Sequence, residues 1–165
     1  MNPLVHAMTK FDNVLEKLEE GALIALVVAM GVTLLLQVIF RYFLKNPIFW
    51  SEELARYLFI WVCLLGTSVT VQRRGHYGLE LFYKMIPGNG RRLVGLFIYL
   101  VMGVVILMLL TQGIILVKNT ASQISPAMEI SMGWPYAALP FGAALMAIHL
   151  LVIGIKEIGG KAETR

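Results

Sequence analysis

The chain has 165 residues, of which 58% are hydrophobic and 15% charged, with a mean hydropathy of +0.76. A soluble domain carries about 25% charged residues, so this composition excludes an ordinary soluble globule and makes lipid the solvent for much of the surface. The net charge of +4 is not laid out as a nucleic-acid footprint: the basic residues gather at the ends of apolar runs, as topology signals do, and no nucleic-acid partner is expected.

Residues 1–20 contain Asp12, Glu16, Glu19 and Glu20. The apolar stretch behind them is too long for the h-region of a signal peptide, so no removable signal is expected. Leu4, Val5, Met8, Phe11, Leu15 and Leu18 recur among charges at roughly helical spacing. Residues 4–18 are therefore either an interfacial amphipathic helix or an extension of the first membrane helix. That first span is expected over 21–44. Its Gly21–Phe40 portion is 20 residues without a charge, about 30 Å of helix, which matches the hydrocarbon thickness of a bilayer.

A short loop with Arg41, Lys45 and Trp50 leads to the second expected span, 52–72. Its start, Trp50-Ser51-Glu52-Glu53-Leu54-Ala55-Arg56, is the densest polar cluster in the chain. Ser51 is read as an N-cap. Glu52 and Glu53 fall in the first turn, where the helix dipole favours negative charge, and either one is within helical reach of Arg56. The cluster is read in two ways: as a capped helix end with a snorkelling arginine, or as a charged anchor for a partner protein. A catalytic carboxylate pair is not expected, because adjacent residues point to different faces of a helix. Cys63, the single cysteine, reads as a small packing residue and excludes an internal disulfide.

After Arg73-Arg74-Gly75-His76, residues 77–86 look amphipathic and end at the Pro87-Gly88-Asn89-Gly90 turn signal. The third span is expected over 93–117 and the fourth over 134–155, with Pro140 and His149 inside it. His149 reads as a hydrogen bond to a neighbouring helix. A haem ligand would call for a second histidine at matching depth, and His6 and His76 lie outside the spans. Thr33, Thr67, Thr70 and Thr111 are read as makers of interhelical bonds. The pairs Ala25/Ala29 and Ala143/Ala147 have the spacing that permits close helix packing. No phosphate loop, zinc motif or nucleophile motif is present. No enzyme activity, cofactor or metal is expected, and no buried ionisable machinery of the kind an autonomous carrier places at mid-membrane.

The expected fold is thus all-α, one domain of four transmembrane helices with possible interfacial helices. Four spans put both termini and the middle loop on one side. Ten of the 14 basic residues fall there, leaving Arg41, Lys45, Arg56 and Lys118 for the other side. The positive-inside rule places the termini in the cytoplasm.

Three segments carry a family resemblance: Gln37-Val-Ile-Phe-Arg41-Tyr, then Asn46-Pro-Ile-Phe-Trp50-Ser-Glu-Glu-Leu-Ala-Arg56-Tyr, then Arg73-Arg74-Gly75-His76. In these motifs, their order, the length and the four-span layout, the chain resembles the small membrane (Q, DctQ-like) subunit of tripartite ATP-independent periplasmic (TRAP) transporters. The resemblance implies a bacterial inner-membrane heterodimer with a large multi-span permease subunit. A soluble periplasmic binding protein would deliver an organic acid of dicarboxylate, sialic acid or sulfonate type, with uptake coupled to sodium. It assigns substrate and sodium sites to the large subunit. To this chain it assigns a bracing role, with Arg41, Trp50, Ser51, Glu52, Glu53, Arg56, Arg73, Arg74 and His76 as the candidate partner-contact or structural motif residues; the loops with Arg41, Lys45, Trp50, Glu52 and Glu53 are a further candidate for meeting the binding protein. The alternatives are a haem-binding or structural membrane anchor of a respiratory complex, and an autonomous four-helix transporter.

Overall fold

The computed structural model describes the backbone over residues 3–73 and 90–162; side chains are described over 8–73 and 94–155. Arg74, His76 and the amphipathic segment 77–86 lie outside the described residues. Four long helices are present: α1 (Pro3–Tyr42), α2 (Ser51–Gln72), α3 (Gly90–Thr120) and, after the short α4 (Gly133–Tyr136), α5 (Ala138–Ala162). All four are long and apolar enough to cross a membrane. Helix is what the solvent demands, because a chain in hydrocarbon must satisfy its backbone polar groups within each segment.

Residues 4–18 continue α1 without a break. At 1.5 Å per residue the 40-residue helix is about 60 Å long, twice the hydrocarbon thickness. It ends at Tyr42, where the Asn46 N–H reaches back to the Phe40 carbonyl and Lys45 takes a left-handed conformation, φ 52°. Pro140 sits in the first turn of α5, where the missing N–H has no intrahelical partner to lose. The turn at Ala137 separates α4 from α5.

The helices do not close into a four-cornered bundle. Contacts run α1 to α2, α2 to α5 and α5 to α3, with a further α1–α5 contact, and among the described residues α1 and α3 do not meet. The helices α2 and α5 therefore form the centre, with α1 and α3 as flanks whose spans are almost wholly exposed. Val71, Ile106 and Met146 form a buried cluster joining α2, α3 and α5. Two glycines set how close these helices come. A Cβ on Gly142 would lie 2.9 Å from Leu64 Cβ, and one on Gly113 would lie 2.9 Å from the ring of Pro140. Ala143 is fully buried beside this contact, whereas Ala25 and Ala29 are exposed.

Several side chains behave differently from expectation. The hydroxyls of Thr33, Thr67, Thr70 and Thr111 do not bridge helices. Each donates to the carbonyl four residues earlier in its own helix, at 2.7–2.9 Å, the local option always open to a helical threonine. Cys63 lies on the outward surface of α2 and does not pack inside.

Candidate functional site

Polar chemistry collects at the two ends of the helical array. At the loop end, the acidic cluster of α2 divides into an inward and an outward set. Ser51 is buried, but it is the first residue of the helix and not its cap. Trp50 holds the cap position without a side-chain bond, and the Ser51 hydroxyl donates back to the Ile48 carbonyl at 2.7 Å. That bond fixes the turn entering α2. Glu53 is buried on the same side. One oxygen of its carboxylate accepts from the Tyr57 hydroxyl, which also lies 3.1 Å from Met132 Sδ. The other accepts the backbone N–H groups of Ala127 and Met128 at 2.9 and 3.1 Å.

Glu53 thus ties the start of α2 to the loop joining α3 to α4. That loop is itself a tight turn. The Ser125 N–H donates to the Ile130 carbonyl at 2.8 Å, the Ser131 hydroxyl donates to the Ala121 carbonyl at 2.7 Å, and Glu129 adopts φ 55°. A carboxylate that takes two amide protons and a phenol proton has its lone pairs engaged. It is a structural clamp with nothing left to offer a substrate.

The other members of the motif face outward. Glu52 and Arg56 pair at 3.3 Å with side chains 72% and 67% exposed, and Trp50 and Arg41 are also exposed. An ion pair this open contributes little to stability, so these are the residues free to meet a neighbour. Trp50 and Trp134, both exposed, stand where interfacial aromatics belong. Between α1, α2 and α4 an open groove of about 610 Å³ is lined by residues such as Leu26, Leu58, Trp61, Trp134 and Pro135. Its lining contains no charged side chain, so it has nothing to hold an organic anion.

At the terminal end lies a cluster that the sequence reading missed. His149, fully buried on α5, bonds through Nδ1 to Asp12 at 2.7 Å and through Nε2 to Glu19 at 2.9 Å, and both acids are buried on α1. Beside them Arg73 Nε donates to Glu16 at 2.8 Å and its guanidinium also meets Glu20. Buried ionisable groups are therefore present, in a cluster that was not expected from the sequence. A signal for it existed: Asp12, Glu16 and Glu19 stand at i, i+4 and i+7 on one face of a helix. Their partner, more than a hundred positions later, is invisible to local reading. His149 does hydrogen-bond to a neighbouring helix, and Arg73 is brought into the same α1–α2 corner. Both lie at the terminal end, level with residues 12–20 of α1, just before the uncharged run that starts at Gly21.

A lattice of four apolar helices, each long and apolar enough to cross a membrane, pinned at one end by a carboxylate and at the other by charged side chains, defines a multi-span membrane protein. A profile of the family described as "Tripartite ATP-independent periplasmic transporters, DctQ component" matches residues 30–158. The chain belongs to this family. It is similar to the sialic acid TRAP transporter permease protein SiaT of Haemophilus influenzae, at 32% identity over 83% of this chain and 22% of that protein. It is 29% identical to the sialic acid TRAP transporter small permease protein SiaQ of Vibrio cholerae, over 84% of this chain and 80% of the relative. It is 25% identical to the C4-dicarboxylate small permease protein DctQ of the same species, over 90% and 74%. The chain thus spans only about a fifth of the first relative but most of the other two.

Proposed function

We propose that this chain is the small permease subunit of a TRAP transporter that imports an organic acid. In this reading it braces a large membrane subunit in a bacterial inner membrane, with both termini in the cytoplasm. The observation that carries the reading is the family match over residues 30–158 on a four-helix fold whose polar groups are engaged in holding helices and loops. Sialic acid and C4-dicarboxylate are named for relatives, which supports an organic acid as cargo. The relative of which this chain matches 22% supports a large-subunit partner, since the rest of that polypeptide travels with it.

The division of labour follows from the chemistry. Substrate and sodium coupling belong to the large subunit in this reading, because the carboxylates described here are clamped, as Glu53, Asp12 and Glu19 are, paired, as Glu16, Glu20 and Glu52 are, or exposed on a surface turn, as Glu129 is. The outward residues Arg41, Trp50, Glu52 and Arg56 form the loop-end face on which a soluble binding protein would dock. Co-expression with the large subunit and the binding protein tests this. The two membrane proteins are expected to purify together, and uptake of an organic acid in proteoliposomes is expected only when both are present with the binding protein. Accumulation by this chain alone would overturn the proposal.

A further inference from the structure

We propose that the Asp12–His149–Glu19 cluster is a proton-binding site: it fastens α1 to α5 at the terminal end while it holds its proton, and the two helices part there when the proton leaves. The proposal concerns this chain alone and goes beyond the small-subunit reading.

A count of hydrogens carries it. His149 Nδ1 lies 2.7 Å from Asp12 Oδ1, and Nε2 lies 2.9 Å from Glu19 Oε1. An ionised carboxylate only accepts hydrogen bonds, and a neutral imidazole has one N–H and one bare nitrogen. A neutral ring between two ionised acids therefore makes only one of these bonds. At the other it sets a nitrogen lone pair against a carboxylate oxygen. Both bonds exist together only with one further proton in the cluster, and the ring is the most basic of the three groups. Glu19 has the most to lose. It is 4% exposed, and its second oxygen, Oε2, is buried and accepts no hydrogen bond. The Nε2–H is the donor on which this carboxylate depends.

The surroundings make the joint sensitive. His149 is fully buried and stands six residues before Ile155, the end of the uncharged run of α5. In so dry a place an unmatched carboxylate is costly. The other charged and titratable side chains at this corner do not relieve it. On α1, Glu16 and Glu20 turn to Arg73, the residue that α2 contributes, while Lys10 and Lys17 are exposed. On α3 the titratable group at this end is Tyr99, whose ring lies 3.9 Å from where a Cβ on Gly154 would project. The described part of α5 holds no ionisable group besides His149. Asp12 and Glu19 meet opposite edges of the ring and do not converge on one point, and among the described residues no group of acids, histidines and cysteines could hold a metal ion. The ligand is the proton itself. The Arg73 pairs do not involve His149, so α1 stays on α2 while the α5 joint opens.

The test attaches spin labels through Val14→Cys on α1 and Leu151→Cys on α5, both exposed positions. The background is the full chain with Cys63→Ser in lipid nanodiscs. The distance between the labels is read from about pH 6 to about pH 9, alongside the ring-nitrogen NMR signals of His149, assigned by their loss in His149→Gln. A short, narrow distance is expected at the acid end and a longer, broader one at the alkaline end, centred where the ring loses its proton. The sign follows from linkage: the closed form binds the proton and the open form does not, so rising pH favours opening. Adding Glu19→Gln should keep the distance short throughout, because a side-chain amide donates to a bare ring nitrogen as well as it accepts from an N–H. A role in packing alone would give Glu19→Gln the same response to pH as its parent. A parent distance that stays unchanged across the range, whatever the ring does, would overturn the proposal. So would a Glu19→Gln chain that opens as its parent does. If Glu19→Gln does not fold, the parent still decides, through coincidence or separation of the ring titration and the distance change.

Discussion

Glu52 and Glu53 are neighbours in sequence and differ in nearly everything else. Glu53 holds two backbone amides of the loop between α3 and α4 and a tyrosine hydroxyl, whereas Glu52, among the described residues, pairs with the exposed Arg56. Removing the first carboxylate leaves buried donors unsatisfied, the costly side of hydrogen-bond energetics. Removing the second returns two groups to water. Glu53→Ala is therefore expected to lower the melting temperature of the purified complex by several degrees and to speed amide exchange at Ala127 and Met128. Glu52→Ala should melt with the wild type, and any loss it shows should be in association with the binding protein or in uptake. Equal destabilisation by the two substitutions would refute this assignment of inward and outward roles.

Among the elements, α1 is tied to α5 at its terminal end by a charged group that a packed apolar side chain could replace. A buried ion pair is weak evidence of added stability, yet breaking one partner out of it typically costs about 3–5 kcal/mol, because the other charge stays buried. His149→Ala is expected to destabilise by about 3 kcal/mol and to free the N-terminal half of α1, read as proteolysis within residues 8–20. Replacing Asp12, Glu19 and His149 together by apolar residues of similar size should restore much of the loss. Failure of the triple replacement to recover any stability would show that the charges hold more than these two helices. The same cluster marks where sequence reading stopped. Helix existence was legible because uncharged runs such as Gly21–Phe40 can be only one thing in a bilayer. The outward Glu52–Arg56 pair was legible because its spacing is local. The bonds from Glu53 to Ala127 and from Asp12 to His149 span 74 and 137 positions, and no periodicity within one helix reports them. Ser51 was misread for a related reason: a serine before two glutamates looks like a cap, but its hydroxyl found the Ile48 carbonyl first.

For the whole molecule, the asymmetry of charge and the asymmetry of structure point the same way. Ten of the 14 basic residues belong to the sequence segments on the terminal side of the four spans, which under the positive-inside rule supports the proposed cytoplasmic placing of that side, and the same end carries the His149 and Arg73 clusters. The loop end holds the turn fixed by Glu53 and the exposed Trp50, Glu52 and Arg56, the face proposed above to meet a soluble partner. Orientation can be read with single cysteines, since Cys63 is the only one in the chain and can be replaced by serine. Lys45→Cys, in the loop after α1, should react in intact cells with a membrane-impermeant maleimide. Lys17→Cys should react only after the inner membrane is opened. The reverse pattern would invert the topology and move the proposed docking face to the cytoplasm, where no periplasmic protein could reach it.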